Sequence, residues 1–515
     1  MSHRAIRSLS LLPLLVLVRP VPAQEAGNGA ETWLRRARTA VGSWSAPDAV
    51  LEGRGRARAS GADGKLVLVL AADGSFRQEL TSRLPDAAGF DGKVAWTRDR
   101  TGLERVVELE EADRLELVAW VLSGYWLESP RVETSLAPDS TPELPRLLLH
   151  VSGTPLEMTL GLDPETALPT DLVQEGDAGT RRWSFGEWRE SGGRRLPHRW
   201  TFEEESLADR YEIEAYQPIP AGEARFHPTL APVRDVRFDA TIEAELEVTR
   251  MPSGHLLVEP LLEGEFLGAF VFDTGAGISV IDRRVADELL LETLGTTTAV
   301  GVAGSTTTAY RRGGTFQLGP VTIENPVYGD LDLAFLQSAF GRKVVGIVGF
   351  DLLARCVAEL EPGTPRIALF DPERYTLSGG NWQDLVLHEN HACTRARFEG
   401  EREGLFRIDT GASGTVTFHA PAVTALGLLE GRELAAGTSG GVGGSASAPT
   451  GRLAWFELAG HRFENPSVSF SQAESGAFTD RYTTGNLGQG FLAPFRIVLD
   501  YRHDRLAFVP LAKGR

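Results

Sequence analysis

An aspartate followed by threonine and glycine occurs twice in the second half of the chain, as Phe272-Asp273-Thr274-Gly275-Ala276 and Ile408-Asp409-Thr410-Gly411-Ala412. Two carboxylates brought together cannot both ionise comfortably, so such a pair holds one proton between its members and titrates as a unit. The ionised member takes a proton from water, and the protonated member polarises a carbonyl oxygen and then helps protonate a leaving nitrogen. That is the chemistry of amide hydrolysis, and it needs no metal, cofactor or covalent intermediate. Asp273 and Asp409 are therefore the candidate catalytic residues. Gly275 and Gly411 suit a backbone that must come close to the carboxylates, where a side chain would block the approach.

The elements that must position these residues are repeated as well. Leu318-Gly319 with Glu324-Asn325-Pro326 is echoed by Leu458 and Gly460 with Glu464-Asn465-Pro466. Gly346-Ile347-Val348-Gly349-Phe350 returns as Gly485-Asn486-Leu487-Gly488 followed by Phe491, and Arg366-Ile367-Ala368-Leu369-Phe370 as Arg505-Leu506-Ala507-Phe508-Val509. Four blocks keep their order at offsets of 136 to 140, which one duplicated β-lobe explains. A strand-like run precedes each aspartate, Ala269–Phe272 and Gly404–Ile408.

From about Val236 to its end the chain resembles the aspartic peptidases, and specifically the bacterial retropepsin-like proteins with two lobes in one chain. The two Asp-Thr-Gly-Ala motifs and the apolar-apolar-Gly stretch after each carry the resemblance, as do the closing strands Val357–Leu360 and Ile497–Asp500. It implies a polypeptide substrate, and threonine hydroxyls of Thr274 and Thr410 that bond across the lobe interface and stiffen both loops. The Gly/Ser-rich stretches Val300–Ser305 and Gly437–Gly451 read as hairpin tips able to cover the cleft. Two departures stand out. Asn486 replaces Ile347 of the first lobe, which loosens the expected packing behind Asp409, and Ala276-Gly277 differs from Ala412-Ser413, so the outer hydrogen bonds of the carboxylates should be unequal. A peptide- or lipid-binding protein that keeps this fold without turnover is the alternative.

Other chemistries find less footing. His388, His391 and Cys393 lack the spacing of a helical zinc motif, so no metal site is expected, and no Gly-x-Ser-x-Gly motif marks a serine nucleophile. The run Gly440–Gly444 has neither the spacing nor the lysine of a phosphate loop. A net charge of -18 repels phosphate backbones, which argues against nucleic acid as partner. With 42% hydrophobic and 24% charged residues the chain reads as globular, and two cysteines, Cys356 and Cys393, do not make a disulfide scaffold.

The first half reads as a β-rich unit. Runs of β character at Lys65–Ala71, Ser75–Leu84, Lys93–Thr97, Arg146–Ser152 and Trp200–Glu204 alternate with turn signals such as Asp73-Gly74 and Asp163-Pro164. Helical stretches are expected at Ala30–Val41 and Glu111–Leu122, which predicts an antiparallel sheet curled around a helix. The rhythm of Gly74–Arg77, Gly89–Trp96 and Asp163–Pro169 resembles the half-barrel of periplasmic lipoprotein carriers, implying an apolar ligand or a packing surface for the second half. A structural β-domain without a ligand meets the same residues. The basic start with Arg4 and Arg7, the apolar run Leu9–Val18 and the small residues Val21-Pro22-Ala23 read as an export signal, with no transmembrane anchor in the mature chain. The expected organisation is mainly β: a signal peptide over 1–23, a β-rich domain over 24–235 ending in a linker with Pro218, Pro220, Pro228 and Pro232, and two pseudo-symmetric acid-protease lobes over 236–376 and 377–515.

Overall fold

A computed structural model describes residues 23–511, apart from 177–178, 206, 228–233, 303 and 442–443, and side chains from residue 29 onward. The export signal and part of the proline-bearing linker fall outside the described residues. The chain is mainly β. Among the described residues no helix is long and apolar enough to cross a membrane.

The first half forms one 13-stranded antiparallel sheet in which neighbouring strands follow each other in sequence, except that the first, Val50–Ala59, pairs with the last, Leu207–Ile219. Alternation builds its inner face: Leu66, Leu68 and Leu70 of the strand Ala62–Ala71 bury, as do Leu147, Leu149 and Val151 of Arg146–Val151. The helix Leu109–Ser123 packs into this face through Leu117, Trp120 and Val121 and stops at Gly124, whose φ of 77° caps it in the left-handed region. A second helix, Ala23–Val41, adds Ala37 and Val41 to the same core. The expected strand at Lys93 begins only at Ala95, because Asp91 Oδ1 accepts the Lys93 and Val94 amides and holds them in a turn.

In the second half one set of pairings occurs twice. The strand Ala269–Phe272 runs parallel to Val344–Val348, which is antiparallel to Val280–Asp282, itself parallel to Val327–Leu331. Equivalently, Arg402–Asp409 runs parallel to Gly485–Gly488, which is antiparallel to Val416–Phe418, itself parallel to Ser467–Phe470. Asn325 and Asn465 occupy matching left-handed positions, with φ of 52° and 51°. The closing strands of the two halves are not separate pairs. Val357–Glu361 lies antiparallel to Phe495–Asp500 in a single five-stranded sheet that both halves build. A single large core accordingly runs through both, from Leu256 to Phe508, with smaller apolar clusters such as that of Val271 and Ile347 beside it.

The N-terminal sheet is fastened to this body. Its turn after Arg98 inserts Leu103 into the core of the second half, and Arg355 Nη2 donates to Thr101 O at 3.1 Å. The Thr296 amide donates to Ser60 O at 2.8 Å, and Arg114 pairs with Glu389. Cys356 and Cys393 are buried free thiols.

Candidate active site

Both aspartates stand at the ends of buried strands that run parallel to a partner, where the chain turns sharply out of the sheet. The glycine of each apolar-apolar-Gly stretch makes room for that turn. A Cβ on Gly349 would lie 2.6 Å from the Ile278 carbonyl, and one on Gly488 would lie 2.4 Å from Gly414 O. The Phe350 and Gln489 amides then donate to Ala276 O and Ala412 O at 2.9 and 2.8 Å, tying each loop to the strand behind it.

Thr274 and Thr410 lock the two loops together. Each hydroxyl accepts the other threonine's amide at 3.0 Å and donates across the interface, Thr274 Oγ1 to Ile408 O at 2.7 Å and Thr410 Oγ1 to Phe272 O at 3.1 Å. All four bonds are buried, so the loops cannot separate without leaving backbone groups unpaired. The exchange brings each carboxylate onto the other loop's glycine. A Cβ on Gly275 would lie 2.7 Å from Asp409 Oδ1, and one on Gly411 would lie 2.4 Å from both carboxylate oxygens of Asp273. Neither glycine has a positive φ. Close approach, not backbone freedom, is what excludes side chains here.

The structure thus brings together Asp273, Asp409, Thr274, Thr410, Gly275 and Gly411. Burial, then the Asp409 charge, pushes the Asp273 carboxyl up to about 7, against the pull of the Gly275 and Gly411 amides. Asp409 is also raised by burial, but the Asn486 amide, the Ala412 and Gly411 amides and Arg407 draw it back. The outer bonds are unequal, through a residue that sequence reasoning took only as a local packing weakness. Asn486 Nδ2 donates to Asp409 Oδ2 at 2.7 Å, whereas Asp273 Oδ1 accepts its own loop's Gly275 amide at 2.7 Å.

One histidine beside the dyad, His255, was missed, and another, His391, was weighed only as a metal ligand. His255 and His391 each stand eighteen residues before their aspartate, the same offset of 136 that relates the aspartates themselves. His255 Nε2 lies 2.7 Å from Gly411 O, and the His391 ring lies beside Gly277 of the opposite loop. Extending the repeat N-terminally from each motif would have found them. Tyr310 sits in the strand Gly304–Arg312 under the Arg100 guanidinium, as an ordinary strand residue.

The hairpin of Glu292–Gly301 and Gly304–Arg312 meets the hairpin of Thr438–Gly441 and Gly444–Ser447. A Cβ on Gly441 would lie 2.7 Å from Val302 Cγ2, so the two tips touch. Beside the first loop lies a cavity of about 200 Å³ lined by Gly277, Ile278, Thr297, Tyr310, Asn390 and Arg100. Of the three residues weighed as metal ligands, His388 alone enters an acidic cluster, with Glu110 and Asp480. Arg407 pairs with Asp480 at 2.6 Å and Arg114 with Glu110 at 2.9 Å, so guanidinium groups already neutralise both carboxylates. His391 and Cys393 take no part in that cluster.

Residues 261–352 and 394–491 match the aspartyl protease family model. Each matched segment holds one Asp-Thr-Gly loop, its covering hairpin and its apolar-apolar-Gly stretch, so the aspartyl protease match spans both members of the dyad. No curated protein matches the chain. The resemblance of the N-terminal half to lipoprotein carriers finds no support in these comparisons.

Proposed function

We propose that this chain is an aspartic endopeptidase in which Asp273 and Asp409 share one proton and activate a water against a peptide carbonyl. The observation that carries the reading is the packing of each carboxylate against the opposite loop's glycine, fixed by the crossed threonine bonds. In this reading the ionised carboxylate takes a proton from the attacking water while the protonated one donates to the carbonyl oxygen. The proton taken from water then passes to the leaving nitrogen as the carbon–nitrogen bond breaks, and the former carbonyl oxygen returns its proton to the other carboxylate. The touching hairpins exclude bulk water and offer strand edges to an extended substrate backbone. The match to the aspartyl protease family favours a polypeptide substrate. The basic and apolar N-terminal residues favour work outside the cytoplasm, in a periplasm or beyond the cell.

Asp273→Asn and Asp409→Asn should each lower cleavage of an unfolded protein by about a thousandfold or more, with the far-UV circular dichroism unchanged. Undiminished cleavage by both variants would end the proposal.

One observation favours a ligand-binding role beside catalysis. A cavity of about 430 Å³ opens under the N-terminal sheet, with Phe76, Trp183, Trp200 and Phe202 in its wall and Arg100 and Arg105 at its polar side. An apolar ligand there would be detected by extracting the purified protein and weighing what is released.

A further inference from the structure

The two halves differ at one equivalent place beside the dyad. In the first, Val271 and Ile347 face each other across the parallel strand pair, and both belong to an apolar cluster. In the second, the facing residues are Arg407 and Asn486. Asn486 is 6% exposed, so its amide must find partners within the protein. Its Nδ2 donates to Asp409 Oδ2, and its Oδ1 lies 2.9 Å from His419 Nε2. The fully buried His419 ring stacks on Phe478 and presents Nδ1 to Thr483 Oγ1 at 3.0 Å. An amide has one accepting end and one donating end. In this arrangement the NH₂ group serves the carboxylate and the oxygen faces the histidine.

We propose that Asn486 divides the labour of the dyad by keeping Asp409 as the ionised partner and leaving the shared proton on Asp273. It is a positioning residue, acting through Asp409, and the inference rests on the dyad reading above. A hydrogen bond donated to a carboxylate favours the charged form, and among the described residues Asp273 has no side-chain counterpart of this bond. The other groups around Asp409 stay in place when Asn486 is replaced. They are Asp273 across the interface, Arg407 on the same strand, His255 at the Gly411 carbonyl, and Asp480 and His388 beyond Arg407. Asp409 is ionised in both the singly and doubly deprotonated dyad, so Asn486 acts on the loss of the first proton only.

The test is Asn486→Leu, which gives the second half an apolar residue like Ile347. Two readouts are taken: kcat/KM against pH on a peptide substrate, and the Asp409 carboxyl titration by ¹³C NMR in an Asp273→Asn background. The low-pH limb should rise by about one to two pH units while the high-pH limb holds, and the Asp409 titration should rise with it. An unmoved Asp409 titration overturns the inference. A raised titration in a protein that hydrolyses nothing upholds the inference and sinks the peptidase reading instead. If Asn486→Leu does not fold, Asn486→Ala removes the same amide and lets water replace part of its bond. The same titration should then move upward by a smaller amount, and no movement overturns the idea.

Discussion

Gly411→Ala isolates geometry from chemistry, because it adds one methyl group and removes no reacting atom. The methyl carbon would stand 2.4 Å from Cγ and both oxygens of the Asp273 carboxylate. Ordinary contact needs about 3.4 Å or more, so one side must retreat by about 1 Å. The threonine bonds hold the loop that carries the new methyl group, which leaves the Asp273 side chain to rotate away from Asp409. A displacement of about 1 Å at a reacting centre costs on the order of a hundredfold in rate. Overpacking of this kind also lowers stability by about 1–3 kcal/mol. The assay is steady-state cleavage of a fluorogenic peptide, with thermal unfolding run beside it. Gly414→Ala is the control three residues on, since a Cβ there meets nothing within 4 Å and should leave kcat/KM unchanged. A folded Gly411→Ala protein as active as the Gly414→Ala control would refute the argument that the glycines exist to let the carboxylates approach.

Two further outcomes follow from the same loops. The Asp273 pKa is raised on folding, so its contribution to stability is complete below the unfolded value near 4 and is lost as pH climbs through about 7. Asp273→Asn lacks that loss, so the excess of its melting temperature over the parent should grow from pH 4 to pH 7, as calorimetry would read. Thr410→Val removes the acceptor of the Thr274 amide and the donor to Phe272 O, leaving buried groups unpaired. A loss of about 1–3 kcal/mol in chemical denaturation is expected, with Thr410→Ser retaining most of the stability.

The parts of this site that were legible in the sequence are those encoded by short strings in both halves. Asp-Thr-Gly at one offset announced the dyad, and the repeated apolar-apolar-Gly stretches announced the duplication, though not the close packing of Gly349 and Gly488. Strands of the N-terminal sheet were readable from their β-rich runs between turn signals, and the helix over Leu109–Ser123 from Leu115, Val118, Ala119 and Leu122 on one face, although Leu117, Trp120 and Val121 on the other side are buried as well. Pairing partners were less so. Nothing local tells Val50–Ala59 to join Leu207–Ile219, or Val357–Glu361 to join Phe495–Asp500, since those choices belong to chain closure over long separations. Asn486 was seen but valued wrongly. A polar residue in an apolar pattern reads as a weakened core until its partners, Asp409 and His419, are in view. Leu103 gave no sign that it would bury in the other half of the molecule.

The two halves that share the five-stranded sheet also belong to one polypeptide, and this has a consequence for how such a centre can evolve. An assembly of two identical copies must put the same residue beside each acid, so any substitution is felt on both sides at once. Within a continuous polypeptide the two sides drift separately: one keeps isoleucine, the other acquires asparagine, and mirror-like acids become individually adjustable.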